Sequence, residues 1–504
     1  MDAHDVVVVG GGHNALVAAT YLARAGRSVL VLERLDHVGG AAVSASPFPG
    51  VRLSRYSYLV SLLPDQIVSD LGLRLTLRNR AVSSYTPVVR DGRHTGLLVG
   101  GSATEDSFRS LTGSDAEYQR WQEFYGSIAR MAEVVASTLL SPLPSREVLR
   151  GLVADAAGAN AWRWVFDQPL AQTLEEVFTD DVVRGVVATD GLIGTHTSLA
   201  SPDLMANRCF LYHVIGNGTG DWRVPVGGMG AVTAELARVA RESGVRVVTS
   251  AEVTAVSADG TTAEVGYRHD DVEHTVAARY VLSGVAPSVL DRLLGRPPRD
   301  TASGAQLKVN VLLDRLPRLR SGVPAADAFA GTFHLDESYS DLETAYRESA
   351  AGDLPLRPPG EMYCHTLTDR SIVDSPDGHT LTLFGLHTPT GLFADPRARD
   401  ELVARYFAGL NRYLLDPIES CLTHVDGHPC LEVRTPLDLE AELAMPSGNI
   451  FHGALTWPYS STPDWGVATD IANVLVCASS AQRGGGVSGI AGHNAAMSLL
   501  GSDR

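Results

Sequence analysis

Four consecutive valines, Val6–Val9, run into three glycines, Gly10–Gly12; an alanine-rich helical pattern follows, and a second apolar run, SVLVL, ends on Glu33. β-Branched runs bounded by glycine read as buried strands, and apolar residues recurring every three to four positions read as a helix. The order predicts strand, tight turn, helix and strand. Two later segments repeat the design. VPVGGMGAVTAELARVARESGVRVVTSAEVTAVSADG pairs a Gly227-Gly228 turn with an amphipathic helix and then strands, and NVLVCASSAQRGGGVSGIAGHNAAMSLL leads from a short strand through Gly484-Gly485-Gly486 into a terminal helix. Between them the texture changes. Residues 76–220 read as a largely helical insert, with EYQRWQEFYGSIARMAEVVASTLL its longest helical stretch, and residues 301–440 mix strand-like runs such as LKVNVLLD with a helix at RDELVARYFAGLNRYLL. The pattern predicts one nucleotide-binding domain closed from residues 1–75, 221–300 and 441–504, with 301–440 as a substrate-binding domain.

The first unit carries the most specific chemistry. Gly10 permits the turn, Gly12 lets backbone approach a pyrophosphate, and small Ala15 lets the helix pack on the strand. The helix start, at His13 and Asn14, faces such a phosphate with free N–H groups and a favourable dipole. Glu33, at the end of the second strand, is placed to accept hydrogen bonds from an adenosine ribose and to repel a 2′-phosphate, although the adjacent Arg34 tempers that exclusion. Gly39 and Gly40 offer a second close backbone approach.

Composition narrows the class. A chain of 504 residues with 44% apolar and 20% charged side chains is expected to form two or three globular domains. A net charge of −17 disfavours nucleic acid and anionic lipid as main partners. Five cysteines without a C-x-x-C pair fit a reducing, cytoplasmic setting and supply no redox disulfide. No apolar run of about 18 residues occurs and the nucleotide strand begins almost at once, so neither a transmembrane segment nor a signal peptide is expected. Lys308 is the single lysine among 41 basic residues, which reads as coding bias. Peripheral contact of the SIARMAEVVASTLL helix with a membrane and the oligomeric state stay open.

The ordered motifs GGGHNALVAA, E-R-x-x-x-x-G-G, SRYSYLVSLL, VPVGGMGA, GNIFHG and GGGVSGIAGHNAA resemble the FAD-dependent phytoene desaturase-like oxidoreductases, in particular the branch that contains pyridine nucleotide-disulfide oxidoreductase domain-containing protein 2. The resemblance covers nearly the whole chain. It implies an α/β fold: an FAD-binding Rossmann-like domain of the glutathione reductase/amine oxidase type assembled from distant segments, with a mixed α+β substrate domain and a helical insert. It further implies non-covalent FAD, with Gly10, Gly12 and Ala15 at the pyrophosphate, Glu33 at the ribose, Gly39 and Gly40 beside the pyrophosphate, Gly227, Gly228 and Met229 near the flavin ring, and Gly485, Gly486 and Val487 at the ring's pyrimidine end. The chain departs from the family's C-x-S-G pattern at Ala478 and Ser479, and has GALTWPYSSTPDWG where relatives often carry D-Q-L, so ring contacts and substrate are expected to differ.

The implied activity is oxidation or desaturation of a hydrophobic small molecule by hydride transfer to flavin N5, in bacterial secondary metabolism. Two alternatives remain: a flavin-dependent cyclase or isomerase acting on a polyene such as a tetramate macrolactam precursor, and a non-redox binding protein of the same fold, as in the Rab GDP-dissociation inhibitors. Many flavin pockets need no side-chain catalyst; the candidate here is His452, which follows the apolar NIF run. Tyr56, Tyr58, Trp457 and Tyr459 are pocket candidates, as is Trp465, with plain core packing the competing reading. Cys477 reads as core. No metal site is expected, since His424 and His428, four apart, are separated by loop-forming Gly427.

Overall fold

The computed structural model describes residues 3–216, 218 and 220–502. Val6, Val7 and Val8 are completely buried, as a strand covered on both faces requires. Ala3–Val9 pairs in parallel with Val29–Leu32 on one side and with the end of Val272–Ser283 on the other. Val29–Leu32 in turn carries Arg246–Val248, and Val272–Ser283 carries Val474–Val476, both in parallel. Strands from the start, middle and end of the chain thus share one sheet, extended antiparallel through Ala263–His269 and Ala251–Ala258. Helix His13–Arg24 packs between Met229–Glu242 and Ile490–Ser502. At Gly492 a Cβ would sit 1.9 Å from the Asn14 carbonyl oxygen, so this helix pair tolerates only glycine at that crossing.

A second seven-stranded sheet runs in the order Leu431–Arg434, Lys308–Leu313, His379–Gly385, Gly360–Tyr363, Thr332–Leu335, Ser84–Arg90 and Arg93–Val99. Its last two strands correct the sequence reading, because they fall at the start of the segment expected to be largely helical. They form a hairpin about Asp91 and Gly92, which have φ of 52° and 73°. An Asp-Gly pair between β-branched runs is a hairpin signal, and here it prevails.

Beyond that hairpin the expected helices appear. Ala116–Ser137, Arg146–Ala157, Leu170–Val177, Asp181–Ala188 and Met205–Ile215 enclose a core that includes Phe124, Trp162, Phe178 and Phe210. The apolar stripe of Ala116–Ser137 (Phe124, Ile128, Met131, Val135) faces this core, which accounts for its amphipathic pattern without a membrane. Among the described residues no helix is long and apolar enough to cross one.

Candidate active site

A cavity of about 570 Å³ lies where the carboxyl ends of the parallel strands meet the second sheet and the helical layer, the usual ligand position in such folds. One end is built from Gly10, Gly12, His13, Asn14, Ala15, Glu33, Arg34, Gly39 and Gly40. The Gly39 N–H donates to the Gly11 carbonyl at 2.9 Å, bringing the two glycine turns side by side. Gly12 has ordinary extended backbone (φ −63°, ψ 165°), and a Cβ there would meet nothing within 4 Å, so its side is open. No side chain caps the first turn of His13–Arg24 and no acid occupies it, which fits a diphosphate on the helix N-terminus. Glu33 is nearly buried, and its carboxylate accepts from the Gly11 N–H (2.6 Å) and the Leu35 N–H (2.9 Å). It therefore shapes the glycine turn as well as lining the cavity.

Gly485, Gly486 and Val487 line the cavity with Ala478 and Ser479, and His452 joins them. His13 Nε2 lies 3.2 Å from the Gly486 carbonyl oxygen, tying the first helix to the last glycine turn. His452 has a left-handed backbone (φ 60°), and its Nδ1 has no partner among the described residues. Desolvation, with a smaller contribution from the charge of His13, lowers its pKa to about 4; desolvation likewise takes His13 to about 4. Both rings are neutral at pH 7.

The remaining wall is aromatic and aliphatic: Tyr56, Tyr58, Ile193, Tyr212, Trp222 and Phe384. His213 lines it too, stacked on Trp222 at 5.3 Å, with Nδ1 2.8 Å from the Cys209 carbonyl oxygen; burial lowers its pKa to about 4. Lys308 is the residue whose importance sequence reading missed. Only 3% exposed, it donates from Nζ to the Tyr56 carbonyl and lies 4.0 Å from the Tyr58 ring centroid. It makes no ion pair among the described residues, and desolvation holds its pKa well below the usual lysine value. The signal was available, since a chain that dispenses with lysine everywhere else has placed one in the wall of this cavity.

Other expected site residues lie elsewhere. Trp457 and Tyr459 stack on each other 6.1 Å apart and pack with Phe166 on the helical layer, outside the cavity wall. The Gln482 amide donates to both of their carbonyls and fixes that loop. Gly227, Gly228 and Met229 are also absent from the wall. The Met229 N–H donates to Ser54 Oγ (3.0 Å), the Gly230 N–H to Ser44 Oγ (2.9 Å) and the Gly227 N–H to the Asp369 carboxylate (2.7 Å), so side chains already cap this helix start. The Met229 side chain is fully buried in the core. Trp465 packs beside His493, away from the cavity. Cys477 is buried, and His424 and His428 sit on an exposed hairpin turned by Asp426 and Gly427. Among the described residues His334, Glu337 and Glu361, distant in sequence, offer ligand atoms within 4.8 Å of one another.

Comparison with known proteins agrees with this geometry. Residues 8–66 match the family described as NAD(P)-binding Rossmann-like domain, and residues 136–386 match flavin containing amine oxidoreductase. An uncharacterized protein of Mycobacterium tuberculosis is 47% identical, covering 98% of this chain and 97% of its own length. Pyridine nucleotide-disulfide oxidoreductase domain-containing protein 2 of Mus musculus is 30% identical, covering 98% of this chain and 92% of its own. Among solved structures, a putrescine oxidase with bound putrescine aligns over 100% of this chain and 99% of its own with a TM-score of 0.59 at 19% identity, a likeness of fold.

Proposed function

We propose, from the premise that this chain belongs to the phytoene desaturase-like branch of the flavin containing amine oxidoreductases and is an FAD-dependent oxidoreductase, that it oxidises an uncharged, hydrophobic small molecule. Gly10, Gly12, Ala15, Gly39 and Gly40 would hold the FAD pyrophosphate, Glu33 the ribose, and Gly485, Gly486 and Val487 the ring end. Bound FAD supplies the hydride acceptor.

The chain's own residues do the rest. Tyr56, Tyr58, Tyr212 and Phe384 provide an apolar surface that orients the substrate and excludes water. His213 and His452 are neutral, and burial lowers the pKa of Lys308 well below the usual lysine value, against a weaker opposing pull from Glu432, in a site that offers a carbonyl and an aromatic face. An amine is intrinsically a stronger base than an imidazole, and desolvation lowers the basicity of both Lys308 and His452. Lys308 Nζ is therefore the group we assign to take the substrate proton, in preference to His452. The observation that carries the reading is one continuous cavity joining an uncapped glycine-helix turn to a wall of aromatic and aliphatic side chains that includes Tyr56, Tyr58, Tyr212 and Phe384.

The test is an absorbance spectrum of the purified protein before and after anaerobic dithionite and then air, followed by incubation with neutral polyenes and alicyclic compounds beside cationic polyamines. Flavin bands that bleach and return, with loss of two hydrogens from a neutral compound by mass spectrometry, are expected. A colourless protein that refuses added FAD would overturn cofactor use, and turnover confined to polyamines would overturn the substrate class.

A further inference from the structure

Away from the cavity, the second sheet buries acids that the oxidation chemistry does not use. His334, on Thr332–Leu335, stands directly opposite Glu361, on Gly360–Tyr363, in an antiparallel pair, which places their side chains side by side on one face. Glu337 follows two residues after the first strand ends, beyond Asp336, whose φ of 53° turns the chain. The three side chains are 4%, 1% and 2% exposed for His334, Glu337 and Glu361, and each offers a ligand atom within 4.8 Å of the others. Helix Asp181–Ala188 seals the group from above: at Gly185 a Cβ would fall 1.9 Å from the Glu337 carbonyl oxygen.

The hydrogen bonding around the group is lopsided. Glu361 accepts from the Thr189 hydroxyl (3.2 Å) and from the Tyr363 hydroxyl. His334 is oriented through Nδ1, 2.8 Å from Thr86 Oγ1, and in the tautomer that donates to this oxygen the other ring nitrogen carries the lone pair. Both oxygens of Glu337 are buried with no hydrogen-bond partner among the described residues, and the one proton of Thr189 is committed to Glu361. Neighbouring Asp336, by contrast, is satisfied by Arg357 and Arg412. A buried carboxylate with no donor is costly by several kcal/mol unless a counter-charge or a proton meets it.

We propose that His334, Glu337 and Glu361 form a buried binding site for one first-row divalent transition-metal ion with a structural role, behind Tyr58 and Tyr363. One imidazole nitrogen and two carboxylates are a donor set suited to zinc or manganese. Ligands at about 2.0–2.2 Å from one tetrahedral ion stand roughly 3.3–3.6 Å apart, so the three side chains would draw together from their present spacing, within 4.8 Å, on binding an ion. The threonine against His334 Nδ1 is the kind of outer partner that orients a metal-ligating histidine. The ion's two charges would join that of Arg80, which already acts on His334 and Glu361, in offsetting Glu337, Glu361 and the nearby Asp190.

The holoprotein, stripped with a chelator, is equilibrated separately with Zn²⁺, Mn²⁺ and Co²⁺, desalted, and assayed for metal per chain by mass spectrometry and for melting temperature. The expected result is one ion per chain for at least one metal, with a melting temperature several degrees higher. Glu337→Gln, which keeps the shape, and His334→Ala should each lose that ion. Their flavin content and cooperative melting report that they are folded. Wild-type protein that retains less than about a tenth of an ion per chain with all three metals overturns the proposal without reference to any variant. So does a Glu337→Gln protein that binds as much as wild type.

Discussion

Lys308 Nζ lies 4.0 Å from the centroid of the Tyr58 ring and donates to the Tyr56 carbonyl, so one ammonium-capable group is held by an aromatic face and a backbone oxygen on the wall of the cavity. For a buried amine without a carboxylate at ion-pair distance, loss of hydration outweighs the more distant pull of Glu432 and shifts the balance toward its neutral form. The arrangement sacrifices stability for a basic group at the point where substrate is expected.

Replacing Lys308 with Met separates these two effects. Folded Lys308 has a pKa well below 10.5 and the unfolded side chain does not, so below that pH the unfolded state binds the extra proton and stability rises as pH increases toward it. Lys308→Met should therefore be more stable than wild type at pH 7, with the gap narrowing toward pH 10 in denaturant titrations. Turnover should fall about 100-fold or more with flavin content unchanged; full turnover would remove Lys308 from proton transfer.

Gly12→Ala separates folding from cofactor binding. The backbone at Gly12 accepts any residue and its Cβ would touch no protein atom, so the melting temperature of the apoprotein should stay within a degree or two. The new methyl group would project into the space assigned to the diphosphate, and FAD affinity, measured by fluorescence titration, should drop at least tenfold. Unchanged affinity would move the diphosphate away from this turn.

Buried histidines make the protein acid-sensitive. His13, His213 and His452 have pKa values lowered to about 4, and His387 to about 3, each mainly through desolvation. Below pH 6.5 the unfolded chain protonates these rings while the folded chain does not, so stability present above 6.5 is lost progressively as pH falls toward 4. The melting temperature should decline steeply over that window, and a flat profile would contradict the neutral assignments.

Arg483 ties the helical layer to the C-terminal glycine turn. It is 1% exposed and donates to the carbonyls of Thr138, Ser141 and Trp465. Arg483→Met keeps most of the volume but leaves those three acceptors without their shared donor. The expected loss is about 2–3 kcal/mol in denaturant unfolding, accompanied by weaker FAD retention because Gly485 and Gly486 follow directly. A loss under about 0.5 kcal/mol would show that the helical layer docks without it.

Local pattern by itself determined the glycine-turn end of the cavity. Val6–Val9, Gly10, Gly12, Ala15 and Glu33 lie within one strand–turn–helix–strand unit, where hydrogen bonding and burial are set by residues close in sequence, and the repeats around Gly227 and Gly485 announced that distant segments complete the same sheet. Similarity of pattern did not settle what each turn faces: Gly485 lines the cavity, while serines from another part of the chain cap the helix after Gly228. The aromatic wall was only half legible, because Tyr58 and Trp457 have the same chemistry and differ in which sheet or helix packs beside them. The lone lysine was visible in the sequence, but the setting of Lys308 and the grouping of His334, Glu337 and Glu361 were not, for a stronger reason. The properties that matter in them are loss of water and proximity across a sheet, and both come into being when strands far apart in the chain are brought into register.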